Sequence, residues 1–137
     1  MAREAYITGV GQSEVGVRLP RHPLLLTMDA INVALKDAGL TLDQIDGVFS
    51  FPGKSNGYLA FSPVGTDEVI EACGIKSKWQ MGAMEQPAQL SAIGMAAMAV
   101  KEGLCRHVIC FRTVYEAGGM ANPAEYMPLQ QKETSGF

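Results

Sequence analysis

The chain has 137 residues, of which 47% are hydrophobic and 18% charged. That is one domain's worth of material, apolar enough to close a core and unlike a disordered segment. A net charge of -3 with no run of Lys or Arg argues against a nucleic-acid surface or a polybasic membrane patch.

The opening MAREAYITGVG is broken by Gly9 and Gly11, so it does not read as a signal peptide. No apolar run reaches the ~18 residues that a membrane span requires. Cys73, Cys105 and Cys110 lack metal-ligand spacing and suit a reducing, cytoplasmic setting. Cys110 sits in an apolar run and reads as a small buried hydrophobe.

In chain order, Ala5 to Val10 is expected to form a first strand. Pro23 then fits the first turn of a helix, where its missing N–H costs nothing. Leu24, Met28, Ile31, Leu35 and Ala38 recur at steps of four and three and share one face. Gly39 suits a left-handed cap, and Thr41 with Gln44 reads as a capping box for one further turn. Asp46 to Phe51 is a second strand, closed by Pro52-Gly53. Thr66 is expected to cap a short helix with Asp67 and Glu68 in its first turn and Gly74 at its end. Lys78 to Met84 reads as a third strand and carries the only tryptophan, Trp79.

The helix from about Pro87 to Glu102 has Lys101 as its first charged residue. Leu90, Ile93, Ala97 and Val100 would form its seam. The remaining faces carry Ala88, Ser91, Ala92, Gly94, Ala96 and Ala99. A helix that is small and apolar all round is expected to be buried on several sides. Gly103 caps it, and His107 to Phe111 is a fourth strand. Strands alternating with helices predict an α/β fold with a parallel or mixed sheet. Residues 1–117 would form the domain core, and 118–137 the start of a loop region, truncated or flexible.

Several segments together resemble the N-terminal half of the thiolase superfamily. They are Ile7 to Ser13, the Ala34-Leu35-Lys36-Asp37-Ala38-Gly39-Leu40 helix end with Asp43 to Val48, and Gly94 to Gly103 running into Val108 to Arg112. Phe111-Arg112 with Tyr115 to Met120 is similar to the branch of sterol-carrier-protein-type thiolases and thiolase-like aldolases of steroid side-chain degradation. The resemblance implies a layered αβαβα fold made of two halves, with only the first present and the helix at 87–102 as a buried central layer. It also implies a coenzyme A thioester as substrate, with no covalently bound cofactor. A homodimer through the 78–84 strand and a zinc-ribbon, OB-fold acyl-CoA-binding partner are implied in the same way.

Thiolase chemistry needs a thiolate at the leading end of that helix, where the dipole lowers its pKa. The position falls near Gln86, and no cysteine stands there. A catalytic residue is therefore not assigned. Two readings of Glu85 and Gln86 stay open: they line a converted acyl-CoA pocket, or they satisfy backbone groups at a helix start. Gln89 in the first helical turn, and Tyr115 and Glu116 beyond the C-terminal end of the fourth strand, are further substrate-binding candidates. His22 reads as a solvated loop residue, His107 as a packed or surface histidine, and Arg18 and Arg21 as surface groups. Gly9-Val10-Gly11 lacks a dinucleotide fingerprint.

Two functions follow. One is part of an enzyme that cleaves a β-hydroxyacyl-CoA by retro-aldol chemistry. The other is a non-catalytic, thiolase-like interaction subunit of a heteromeric acyl-CoA complex.

Overall fold

The structure is a computed structural model and describes residues 3–54, 62–82 and 88–121. Its elements in order are α1 (Pro23–Ala38), a 3-10 turn (Leu42–Gln44), β1 (Gly47–Ser50), α2 (Thr66–Cys73), β2 (Trp79–Gly82), α3 (Ala88–Lys101), β3 (Val108–Phe111) and α4 (Glu116–Ala121).

Local chemistry sets the helix boundaries. Pro23 is the first residue of α1, and His22 precedes it as the cap, its Nδ1 accepting from the Leu24 N–H at 3.2 Å. His22 is exposed, as the sequence suggested, but it has this capping task. The expected Thr41–Gln44 box is present, with the Gln44 amide oxygen 2.9 Å from the Thr41 N–H. At α2 the cap is Gly65 rather than Thr66. The Glu68 carboxylate turns back to accept from the Gly65 N–H at 2.9 Å, so Thr66 becomes the first helical residue.

The C-terminal ends of α1, α2 and α3 repeat one motif. Gly39, Gly74 and Gly103 have φ of 66°, 63° and 75°. In each case the residue after the glycine donates to a carbonyl five residues back: Leu40 to Leu35 at 2.9 Å, Ile75 to Ile70 at 3.0 Å, Leu104 to Ala99 at 2.9 Å. These are Schellman caps, which need a left-handed residue and therefore favour glycine.

The three strands form one parallel sheet in the order β2-β1-β3. Gly47 pairs with Trp79 and Val108, and Ser50 with Gly82 and Phe111, so all three strands end level. The crossover through α2 runs from β1 to one side of the sheet. The crossover through α3 runs past β1 to the other side. Right-handed crossovers in opposite directions put their helices on opposite faces. On one face, Ile31 and Leu35 of α1, Val48 of β1, Val69 of α2, and Ile45, Val64 and Ile75 form the main core. On the other, Phe49 meets Trp79 with ring centroids 5.9 Å apart.

Four expectations are corrected. Ala5 to Val10 is not a strand, and among the described residues the sheet is parallel, with no antiparallel strand to make it mixed. The segment instead lies on α1: a Cβ at Gly9 would sit 2.4 Å from the Ala34 carbonyl oxygen, and one at Gly11 2.1 Å from that of Ala30. Val10 N–H donates to the Asp37 carboxylate at 3.0 Å. Contact of bare backbone with a helix has taken the place of strand pairing. Secondly, α3 is not covered on all sides. Ala92, Ala96 and Ala99 are buried, whereas Leu90, Ile93 and Met98 are exposed, Leu90 to 83%. Leu90 and Ile93 are thus not an inward seam. The alanine face comes down on the sheet because small side chains permit close approach, and the bulkier residues turn outward. Thirdly, Cys110 is exposed and Cys105 is the buried thiol. Lastly, a short helix α4 extends to Ala121, past the point where a loop was expected to begin at 118. Met84 and Pro87, at the expected ends of the third strand and of the long helix, lie outside the described residues.

Candidate functional site

The strands of a parallel α/β sheet aim their C-terminal ends at a common edge, where the connecting segments create a crevice. Here that edge is Gly82, Ser50 and Phe111. The sequence candidates belong to segments that leave it. Glu85 and Gln86 follow β2 and lie outside the described residues. Gln89 is in the first turn of α3. Tyr115 and Glu116 follow β3, both half-buried, with Glu116 opening α4.

The segment after β1 is pinned by two buried hydroxyls. Ser50 and Ser62 are fully buried, and both donate to the Pro52 carbonyl, at 2.8 Å and 3.0 Å. The peptide between Phe51 and Pro52 is cis. Beyond it, Gly53, Lys54, Gly65, Thr66, Asp67, Glu68 and Gly82 line a depression of about 460 Å3. Lys54 is ion-paired to Glu68, and Gln80 donates to Asp67 at 2.9 Å. Two carboxylates at the start of α2 occupy the place an anion would take, so this depression does not suit the phosphates of a nucleotide.

The segment after β3 is fastened to the region of α1. Thr27 and Thr113 are buried with their hydroxyl oxygens 2.5 Å apart. Tyr115 donates its phenol proton to the Leu19 carbonyl at 2.6 Å. Gly118 is buried against the Tyr115 ring, where a Cβ would lie 2.1 Å from Cε1.

No described thiol is activated. Burial pushes Cys73 and Cys105 up, the latter also through Asp46. Cys110 is open to solvent on one side, yet the atoms packed round its sulfur and then the Cys105 thiol push it up to about 11. Cys105 precedes β3 and Cys73 ends α2, both at the edge remote from the candidates. Among the described residues no group of three or more His, Cys, Asp or Glu could hold a metal ion. No described helix is long and apolar enough to cross a membrane.

Sequence reasoning missed Asp46. Its carboxylate accepts from the Arg106 N–H at 2.7 Å and the His107 N–H at 2.9 Å, and from Lys78 Nζ at 3.1 Å. Its own carbonyl accepts from the Lys78 and Trp79 N–H groups at 2.8 Å and 3.3 Å. This staple lies at the N-terminal edge, away from the candidate site, and joins the entries of all three strands. An acidic residue directly before a strand was its only signal. His107 takes part through its backbone. Arg21 is ion-paired with Asp29, and Arg18 is exposed with φ of 56°.

The chain is similar to proteins named aldolase and lyase. It is 27% identical over 119 residues to the steroid side-chain-cleaving aldolase of Thermomonospora curvata, and 30% identical over 125 residues to the 17-hydroxy-3-oxo-4-pregnene-20-carboxyl-CoA lyase of Mycobacterium tuberculosis. These matches take in 85% and 88% of the chain but only 28% and 30% of the relatives. Among solved structures it superposes on the Ltp2-ChsH2(DUF35) aldolase with a TM-score of 0.66 and 28% identity, over 80% of this chain and 27% of the other. No protein-family profile matches. The chain therefore spans less than a third of the relatives it resembles.

Proposed function

We infer that this chain is the N-terminal part of an aldolase or lyase that breaks a carbon–carbon bond in a β-hydroxyacyl-CoA, with a sterol or lipid side chain as the acyl group. The observation that carries this reading is the pair of relatives whose names both denote cleaving enzymes, one of a steroid side chain and one of a CoA thioester. The placement of the thiols supports it. A thiolase-type acyl-cysteine needs a sulfur at the leading end of α3, and residues 83–89 contain none.

In retro-aldol cleavage a base removes the β-hydroxyl proton and that oxygen becomes a carbonyl. The Cα–Cβ bond breaks, and its electron pair passes into the thioester enolate, which is then protonated. The reaction asks for a base and for donors at the enolate oxygen. Gln89 and Glu116 belong to segments at the sheet edge where such donors or substrate contacts would be needed, and Glu85 and Gln86, which follow β2 in the sequence, are assigned the same task in this reading. Groups outside this chain would complete the site.

A thiolase-like layered arrangement is part of the same reading. The outer flank of α3, with Leu90, Ile93 and Met98 exposed, is apolar, as expected of a surface that takes a further layer. The strand β2 is an edge of the sheet and suits pairing across a dimer axis. The solved neighbour is named as a complex of two proteins, which favours a DUF35-type partner here as well.

The test is cleavage by the protein purified from its source with the polypeptides that accompany it. Incubation with a sterol-derived β-hydroxyacyl-CoA should release a ketone or aldehyde and a shortened acyl-CoA in equal amounts by mass spectrometry. Trapping of an acyl group on a cysteine of this chain would overturn the reading. Binding of acyl-CoA without turnover would favour the alternative of a non-catalytic interaction subunit.

A further inference from the structure

The candidate edge contains a set of contacts whose task is not explained by closing the core. Thr27, in the second turn of α1, donates its one hydroxyl proton to the Pro23 carbonyl at 2.9 Å. Its oxygen is then left to accept, so across their 2.5 Å separation Thr113 must be the donor. Two residues on, the Tyr115 phenol donates to the Leu19 carbonyl. Two polar side chains of one short segment are thus tied to a side chain of α1 and to the backbone of the segment that leads into it. Tyr115 in turn carries α4, because Gly118 lies against its ring with no room for a methyl group. Glu116, the first residue of α4, stands between these two contacts.

We propose that Thr113 and Tyr115 are positioning residues: together with Thr27 and Leu19 they form a latch that holds Glu116 and the start of α4 at the C-terminal edge of the sheet. The inference rests on the reading of that edge as the reaction site. It also assigns Tyr115 a role other than acid or base, since its phenol proton is engaged with Leu19.

The physical reason for a latch is geometric. The segment between β3 and α4 has no ladder bonds of its own, and displacement of a substrate-contacting group by about 1 Å can lower turnover about 100-fold. Side-chain bonds to a packed helix remove that freedom.

The test uses the same natively assembled protein with Tyr115→Phe, Thr113→Val and, as the conservative variant, Thr113→Ser. Two readouts are taken. The first is hydrogen exchange of the amides of residues 113–118. Tyr115→Phe and Thr113→Val should speed it about tenfold while exchange in β1 and α1 stays unchanged, and Thr113→Ser should restore it. The second is cleavage of the β-hydroxyacyl-CoA. kcat should fall by about 10- to 100-fold in the first two variants with KM nearly constant. The pH–rate profile should keep its shape, and Thr113→Ser should recover kcat. Unchanged exchange in both disrupting variants overturns the latch. Loss of one limb of the pH profile in Tyr115→Phe also overturns it, by making that residue an acid or base. If the wild-type assembly cleaves no such substrate, the proposed function fails, and the exchange data still decide the latch.

Discussion

Replacing Asp46 separates the weight of charge from that of hydrogen bonding in the staple that joins the strand entries. Both backbone N–H groups, of Arg106 and His107, converge on the same oxygen, Oδ1, while Lys78 reaches Oδ2. Asp46→Ala leaves two donors without their partner. At about 1–3 kcal/mol for each lost bond to a charged or buried acceptor, the expected loss is about 3 kcal/mol. The Lys78 side chain is 70% exposed, so its ion pair contributes at most about 0.5 kcal/mol after screening. Asp46→Asn keeps an oxygen for the two amides and loses only the charge, so about 1 kcal/mol is expected. In a chain of this size 3 kcal/mol corresponds to a fall in Tm of about 10 °C.

Acid should act in the same direction. Burial would raise the Asp46 pKa, but the His107 and Arg106 N–H groups and Lys78 together outweigh it and hold the carboxyl below its ordinary value. A depressed carboxyl pKa contributes stability that is complete above the unfolded value of about 3.9 and is lost as pH falls through the lower folded value. The wild type should therefore lose this contribution only below about pH 4, and Asp46→Asn should lack that component of acid sensitivity. Urea unfolding of the three proteins between pH 3 and 7 measures both. Equal losses in the Ala and Asn variants would refute the assignment of the main effect to the two amides. So would a loss in Lys78→Met as large as in Asp46→Ala.

Three further outcomes are expected. Gly11→Ala drives a methyl into the Ala30 carbonyl oxygen, which belongs to the α1 backbone and cannot swing away. It should cost about 2 kcal/mol or release residues 3–15 from α1, seen as faster limited proteolysis of that segment; unchanged proteolysis and unchanged Tm would contradict the close contact. Cys110 is exposed, but its raised pKa keeps it a neutral thiol at pH 8. Iodoacetamide should modify it about tenfold more slowly than an ordinary cysteine, with the rate still rising beyond pH 9; a rate that levels off near pH 8.5 would contradict this. Leu90→Lys should alter the stability of the isolated chain by less than about 0.5 kcal/mol, because that side chain is 83% exposed. The same change should weaken the complete assembly, measured by native mass spectrometry, if α3 takes a further layer there.

The sequence by itself determined α1, α2 and α3 and the glycines that end them. Pro23, the capping pairs and the glycines at 39, 74 and 103 act within a few residues of chain, so their effect is legible without any fold. The positions of β1, β2 and β3 were legible for the same reason, since short apolar runs between helices have few other uses. Which surface each element presents was a different matter. An α3 that is apolar all round has no polar face to orient it, and only contact with the sheet selected the alanines at 92, 96 and 99 over Leu90 and Ile93. Ala5 to Val10 had the composition of a strand, yet glycines at 9 and 11 allowed α1 to claim it. A four-residue strand cannot announce which side will be covered, so Cys110 turned outward against expectation. Asp46 meets its partners 60 and 61 residues along the chain, and Tyr115 its acceptor 96 residues back. Interactions across such separations leave no periodic trace in sequence, because parallel crossovers bring the partners together only once the sheet has formed.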